Sequence, residues 1–167
     1  SVTGALDFDQ LTIVNDGGAG LQVTGAGGMS LSTDPNTSSI TSIGGAALDL
    51  NGVAAALPLT KVTSEVSAGS GVSLVNVTGS VTVSDATSAI NAPAGTAFRI
   101  DGGTATVTYP GTITDDLGQL VEVTNATGGT KTFSGAITDG VDGDGGVAGE
   151  GTINLVGNTG ATVAFTG

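Results

Sequence analysis

Apolar residues recur on a two-residue beat along almost the whole chain. The runs are only four to six residues long, as in LVEVT, TKTF and INLVG, and each is closed by Gly, Asn, Asp or Pro. Strict alternation marks a half-buried β-strand, and those closing residues are the ones that tolerate tight turns. One phrase is written twice: LVEVTNATGGTKTFSG at 120–135 returns as INLVGNTGATVAFTG at 153–167. A second match sets ALDFDQLTIVNDGGAG at 5–20 against ALPLTKVTSEVSAGSG at 56–71, with Leu6 opposite Leu57, Phe8 opposite Leu59 and Leu11 opposite Val62.

These registers sort the chain into three recurring strands. The first reads GLQVT, ALDLN, VSLVN, FRID, LVEVT and INLVG. The second reads LDFD, SLST, PLTK, TVSD, TVTY, TFSG and AFTG, and the third LTIVN, SITSI, VTSEV, AINA, TITDD and AITDG. One apolar residue marks each second strand: Phe8, Leu31, Leu59, Val83, Val107, Phe133 and Phe165, at spacings of 23, 28, 24, 24, 26 and 32 residues. Three short strands per repeat predict a solenoid of strands. The expected fold is all-β: a parallel β-helix of about six turns with three short strands each, one domain over 1–167. At about 4.8 Å per turn the rod is roughly 30 Å long. One set of alternate side chains fills the tube and the other faces water.

The composition agrees. Thirty glycines and abundant Thr and Ser weigh against a helical bundle. With aromatics at 3% and no Trp or Cys, the core is expected to consist of Val, Ile, Leu and Ala. A Gly/Ser/Thr-rich acidic chain raises disorder as a rival, and the regular apolar beat argues against it.

GTAFRIDGGTATVTYPG, LVEVTNATGGTKTFSG and INLVGNTGATVAFTG resemble the right-handed parallel β-helix repeats of large bacterial surface and secreted proteins, including adhesins and autotransporter-type passengers. The resemblance spans nearly the full chain and is one of pattern. It implies right-handed coiling and an extracellular or cell-surface location, and it implies no particular ligand. The chain starts and stops partway through a turn, with no helix to cover the tube. It is therefore expected to be a segment of a longer coil, or a subunit that stacks end to end with itself.

Fifteen acids against three bases, a net charge of −12, speak against nucleic acid and anionic membrane surfaces as partners. No apolar run approaches the ~20 residues of a membrane span. Without His or Cys, zinc sites and Ser-His chemistry are excluded.

Four constellations remain. Asp49, Arg99, Asp101 and Glu122 on the first strands should all face outward, with Arg99 and Glu122 on successive turns. They are the nearest approach to a glycan-cleaving acid/base cluster, read primarily as a solvated ion pair. The largest insertion, at 139–151, carries Asp139, Asp142, Asp144 and Glu150 in a Gly-rich loop, the hard oxygen ligands calcium takes. The EF-hand order is not met, because Gly140 and Gly151 stand where its first and twelfth ligands belong. Ser and Thr pairs flank Leu31, Val83, Val107 and Phe133, an array that ice-binding solenoids use and that ordinary strands also favour; Asp7, Asp9, Pro58 and Ala164 break it. Asn36, Asn76 and Asn125 open N-x-S/T sequons at expected corners.

The expected function is structural and non-enzymatic: an acidic extracellular rod that spaces or displays parts of a surface protein, or a filament subunit. The alternatives are an adhesin-type module contacting glycans or a host surface through 139–151 or STDPNTSS, and a polysaccharide lyase or hydrolase. No cofactor is expected apart from the possible calcium.

Overall fold

The computed structural model describes residues 4–25, 29–35, 37–140 and 149–167. Among them lie eighteen strands. The first half contains β1 (Gly4–Phe8), β2 (Thr12–Asp16), β3 (Leu21–Thr24), β4 (Met29–Thr33), β5 (Ser38–Ile43), β6 (Leu48–Asn51), β7 (Ala54–Glu65), β8 (Val72–Val75) and β9 (Thr78–Val83). The second half contains β10 (Ala89–Asn91), β11 (Phe98–Asp101), β12 (Thr106–Tyr109), β13 (Thr112–Asp115), β14 (Val121–Thr124), β15 (Thr130–Phe133), β16 (Ile137–Asp139), β17 (Ile153–Val156) and β18 (Thr162–Phe165).

Every pairing between these strands is parallel and joins a strand to its counterpart one turn away. The protein is a parallel β-solenoid. The first strands form a six-stranded sheet in the order β17-β14-β11-β8-β6-β3. Its five steps give a coil of about five turns, and the expected six counted the steps along the seven second strands. The second and third strands belong to one twelve-stranded sheet. They are fused because β7 runs twelve residues without a corner, pairing β4 through Ala54–Ala56 and β5 from Leu59 onward.

Alternation puts one side chain in two inside the tube. The column Leu21–Leu48–Val72–Phe98–Val121–Ile153 runs the length of the first face. Three aromatics join the aliphatic core, contrary to the composition-based expectation. Tyr109 pairs in register with Phe133 and Phe133 with Phe165. Phe98 meets Tyr109 and Phe133 across the tube at centroid distances of 5.3 and 5.1 Å. Tilted and edge-to-face pairs of this kind add roughly 0.5–1.5 kcal/mol beyond area burial. The buried Tyr109 hydroxyl donates to the Val62 carbonyl, and burial pushes its pKa up.

Register departs from the sequence alignment by two residues in places. Leu6 continues through Leu31 to Ala55, not Leu57, and Ile13, not Leu11, leads through Ile40 to Val62. Tyr109, not Val107, is the partner of Phe133. A slip of two leaves every side chain on its own face, so the inside-outside assignment survives.

The corners are ladders as well. Directly after the first strands, Gly52, Asn76, Gly102, Asn125 and Gly157 have φ of 66°, 50°, 72°, 54° and 70°. The amide groups of the first four donate to the next turn, as from Asn76 to Asp101 and from Gly102 to Thr124. The left-handed region is cheap only for Gly and, less so, Asn. At the opposite corner Gly17 and Gly44 give way to Val66 and Ala92, both at φ 45°, a strain of about 1–3 kcal/mol for a β-branched side chain. Inside that corner, Asn15, Ser42 and Ser64 stack in register and donate to the carbonyls of Ala19, Gly18 and Gly45.

Candidate functional site

The first-face charge cluster assembles only in part. Arg99 and Glu122 are register partners on β11 and β14. The Arg99 guanidinium donates to Glu122 Oε1 at 3.2 Å and to Asp101 Oδ2 at 2.8 Å. Asp101 Oδ1 also accepts from Asn125 Nδ2 at 3.0 Å and Thr124 Oγ1 at 3.2 Å. The Asn125 bond, then those from Thr124 and Arg99, hold its carboxyl below the usual aspartate range. Asp49 lies apart. Its register partner is Ser73, one turn short of Arg99, and it accepts from Gln22 Nε2 at 2.7 Å. Acid catalysis on a glycoside needs one carboxyl with a raised pKa. Here one guanidinium bridges two carboxylates, Asp101 on its own strand and Glu122 on the next turn, and so cross-links the turns.

Of the four loop acids, Asp142 and Asp144 lie outside the described residues. Asp139 ends β16 and its Oδ1 accepts from the Gly140 amide at 3.1 Å. Glu150 sits in a turn before β17. Among the described residues no group of three acids comes together in a way that could hold a metal ion. The acid that the sequence reading missed is Asp115, the register partner of Asp139. It is 1% exposed, and burial raises its pKa, with the charge on Asp139 adding to the effect. Alternation from Ile113 points it inward, but an aspartate at a strand end reads as a turn residue.

Lys131 was missed for a similar reason. It shares the inward parity of Phe133 and stacks between Val107 and Val163. Fully buried, its ammonium donates to the Gly128 carbonyl, and burial lowers its pKa.

The outward hydroxyls of the second strands do form columns. Thr82, Thr108 and Thr132 align on three successive turns, between Pro58 and Ala164. Beside them Ser80 aligns with Thr106, and Thr130 with Thr162. Both ends break where the sequence indicated. The sequons at Asn76 and Asn125 occupy exposed left-handed corners. Asn36 lies outside the described residues.

Two concavities stand out among the described residues. A shallow groove of about 270 Å³ follows the corners between the third and first faces, lined by Gly44, Gly45, Asp49, Ser67, Ser70 and Ser73 among others. A hollow of about 360 Å³ opens at the last turn among Phe133, Ala136, Ile137, Ile153 and Phe165. It belongs to a larger feature. Among the described strands, β1, β2 and β3 at one end and β16, β17 and β18 at the other each pair on one side only. Interior-type side chains come to the surface there, with Ile153 at 44%, Leu155 at 46% and Phe165 at 40% exposure. No family model, curated protein or solved structure matches the chain.

Proposed function

We propose that this chain is a structural β-solenoid rod that spaces or displays other parts of an extracellular surface protein, or builds a filament, with its open ends as the joints. The supporting observation is the pair of terminal turns. Among the described strands, each has three parallel strands paired on one side only, beside the apolar interior of the tube, a template for another strand. Further turns of the same coil or the end of a second copy would satisfy those edges. The extracellular setting rests on the resemblance of the repeats to bacterial surface β-helices.

A second reading, contact with glycans or a host surface, draws on the uncharged hydroxyl columns of Thr82, Thr108 and Thr132. Neither reading requires turnover.

Sedimentation over a wide concentration range, with negative-stain imaging of the same samples, tests the rod. The expected result is thin fibres that lengthen with concentration and vanish in Leu155→Lys, whose buried charge blocks pairing at that edge. A monomer of 15.8 kDa at every concentration would remove the filament reading and leave the spacer.

A further inference from the structure

We propose that the corner where β13 and β16 end is a binding site for a divalent cation of the calcium type, anchored by the carboxylates of Asp115 and Asp139. This inference does not rest on the rod reading.

The two residues are Cα partners in the parallel ladder, so their carboxylates lie one turn apart on the same side of the coil. Asp115 Oδ1 accepts from the amides of Asp116 at 2.8 Å and Leu117 at 3.3 Å. Its Oδ2 is buried without a hydrogen bond of good geometry, the nearby Gly118 amide only favouring the charged form of the carboxyl alongside those of Leu117 and Asp116. That oxygen faces Gly118, where a Cβ would come within 2.9 Å of it. Asp139 Oδ2 faces Gly151 in the same way, at 2.2 Å from the Cβ position. The two glycines are themselves stacked, the Gly151 amide donating to the Gly118 carbonyl at 3.0 Å. Both Oδ2 atoms therefore turn toward one glycine stack, where a side chain at either glycine would intrude. Gln119 Oε1, in the same corner, is a second buried oxygen without a partner.

A buried carboxylate ordinarily has a counter-charge. The chain has three basic side chains. Arg99 is committed to Asp101 and Glu122, Lys131 to the Gly128 carbonyl, and Lys61 acts on Asp85. None serves Asp115. Spacing favours calcium over magnesium. Strands one turn apart are separated by about 4.8 Å, so an ion midway between stacked carboxylates sits about 2.4 Å from each. Calcium takes oxygens at about 2.3–2.6 Å and magnesium at about 2.0–2.1 Å. The rival occupant is a proton, toward which burial and the neighbouring charge already push Asp115.

The test is calorimetric titration of the EDTA-treated 167-residue chain with calcium chloride, with melting followed in parallel. The expected result is saturable binding with Kd on the order of 0.1–1 mM and a rise in Tm, with magnesium about tenfold weaker. Asp115→Asn and Asp139→Asn should each weaken calcium binding by about tenfold or more, while Asp142→Asn/Asp144→Asn retains it. In EDTA, Asp115→Asn should melt no lower than the parent, because a buried charge has been removed; Asp139 is only half-buried, so its variant reports on the site even if Asp115→Asn folds poorly. The proposal is overturned by no saturable binding up to about 10 mM calcium, a concentration well above the weakest such sites. It is equally overturned if Asp142→Asn/Asp144→Asn abolishes binding and Asp115→Asn does not.

Discussion

Lys131 is the residue that most violates its surroundings. Burial holds its pKa below the ordinary lysine value, and among the described residues no acid pairs with it. A group whose folded pKa is depressed contributes stability above its unfolded pKa, and that contribution is lost as pH falls through the folded pKa. At neutral pH the folded chain therefore carries either a buried charge or the cost of deprotonation. Lys131→Met keeps the length of the side chain and removes that cost. It should gain about 1–3 kcal/mol, and the gap to the parent should narrow as pH rises toward about 10, near the ordinary lysine pKa. Thermal melts at both pH values check it. Parity with Phe133 already placed Lys131 inside, but residue type argues for water and the type prevailed in reading the sequence. Asp115 was lost to the same conflict. Pattern reports which face a position occupies, and a charged residue on the wrong face is legible only once a partner or its absence is seen.

Strands and corners were more legible than their mutual alignment. All three classes of strand were readable because alternation and turn residues change together at each boundary. Register was not, since a two-residue slip such as Val107 for Tyr109 preserves every face. Packing decides it: Tyr109 over Phe133 completes an aromatic cluster with Phe98, and no rule of alternation contains that fact. The merging of two faces along β7 was also missed, because PLTK and VTSEV were read as two separate strands and the chain instead runs on from Ala54 to Glu65. Among the site calls, the Arg99–Glu122 pairing followed from correct register on the first face. The place of Asp49 did not, since outward parity alone cannot give distance along the coil. Corner glycines divide into two kinds by what surrounds them. At Gly103 φ is 72° and a Cβ would lie 2.2 Å from the Val77 carbonyl oxygen. Gly103→Ala should cost about 2 kcal/mol or more. At Gly69 nothing lies within 4 Å of the Cβ position, and Gly69→Ala should gain roughly 0.4–1 kcal/mol by restricting the unfolded chain. Denaturant midpoints of the two variants measure both.

At the scale of the molecule, stability is shared between adjacent turns. Each interior strand is held from both sides, whereas β1, β2, β3, β16, β17 and β18 are held from one. Hydrogen exchange should therefore show a gradient, with amides of β8, β11 and β14 the slowest and those of β3 and β17 exchanging at least about tenfold faster, as expected for a nearest-neighbour array. Equal protection along the first face would mean that the coil opens as one unit. The exclusively parallel pairing has a consequence for any assembly. Because the coil advances in one direction, its two ends are chemically different: Asp7, Asp9 and Asp16 crowd the first turn, while apolar Ile153, Leu155 and Phe165 surface at the last. A twofold-symmetric dimer would bring identical ends together and turn the ladder antiparallel. Only a head-to-tail contact continues the parallel ladder, and such a contact repeated along the coil axis leaves the assembly open. A chain of copies built this way would carry a polarity like that of an arrow, with growth chemistry that differs between its tips.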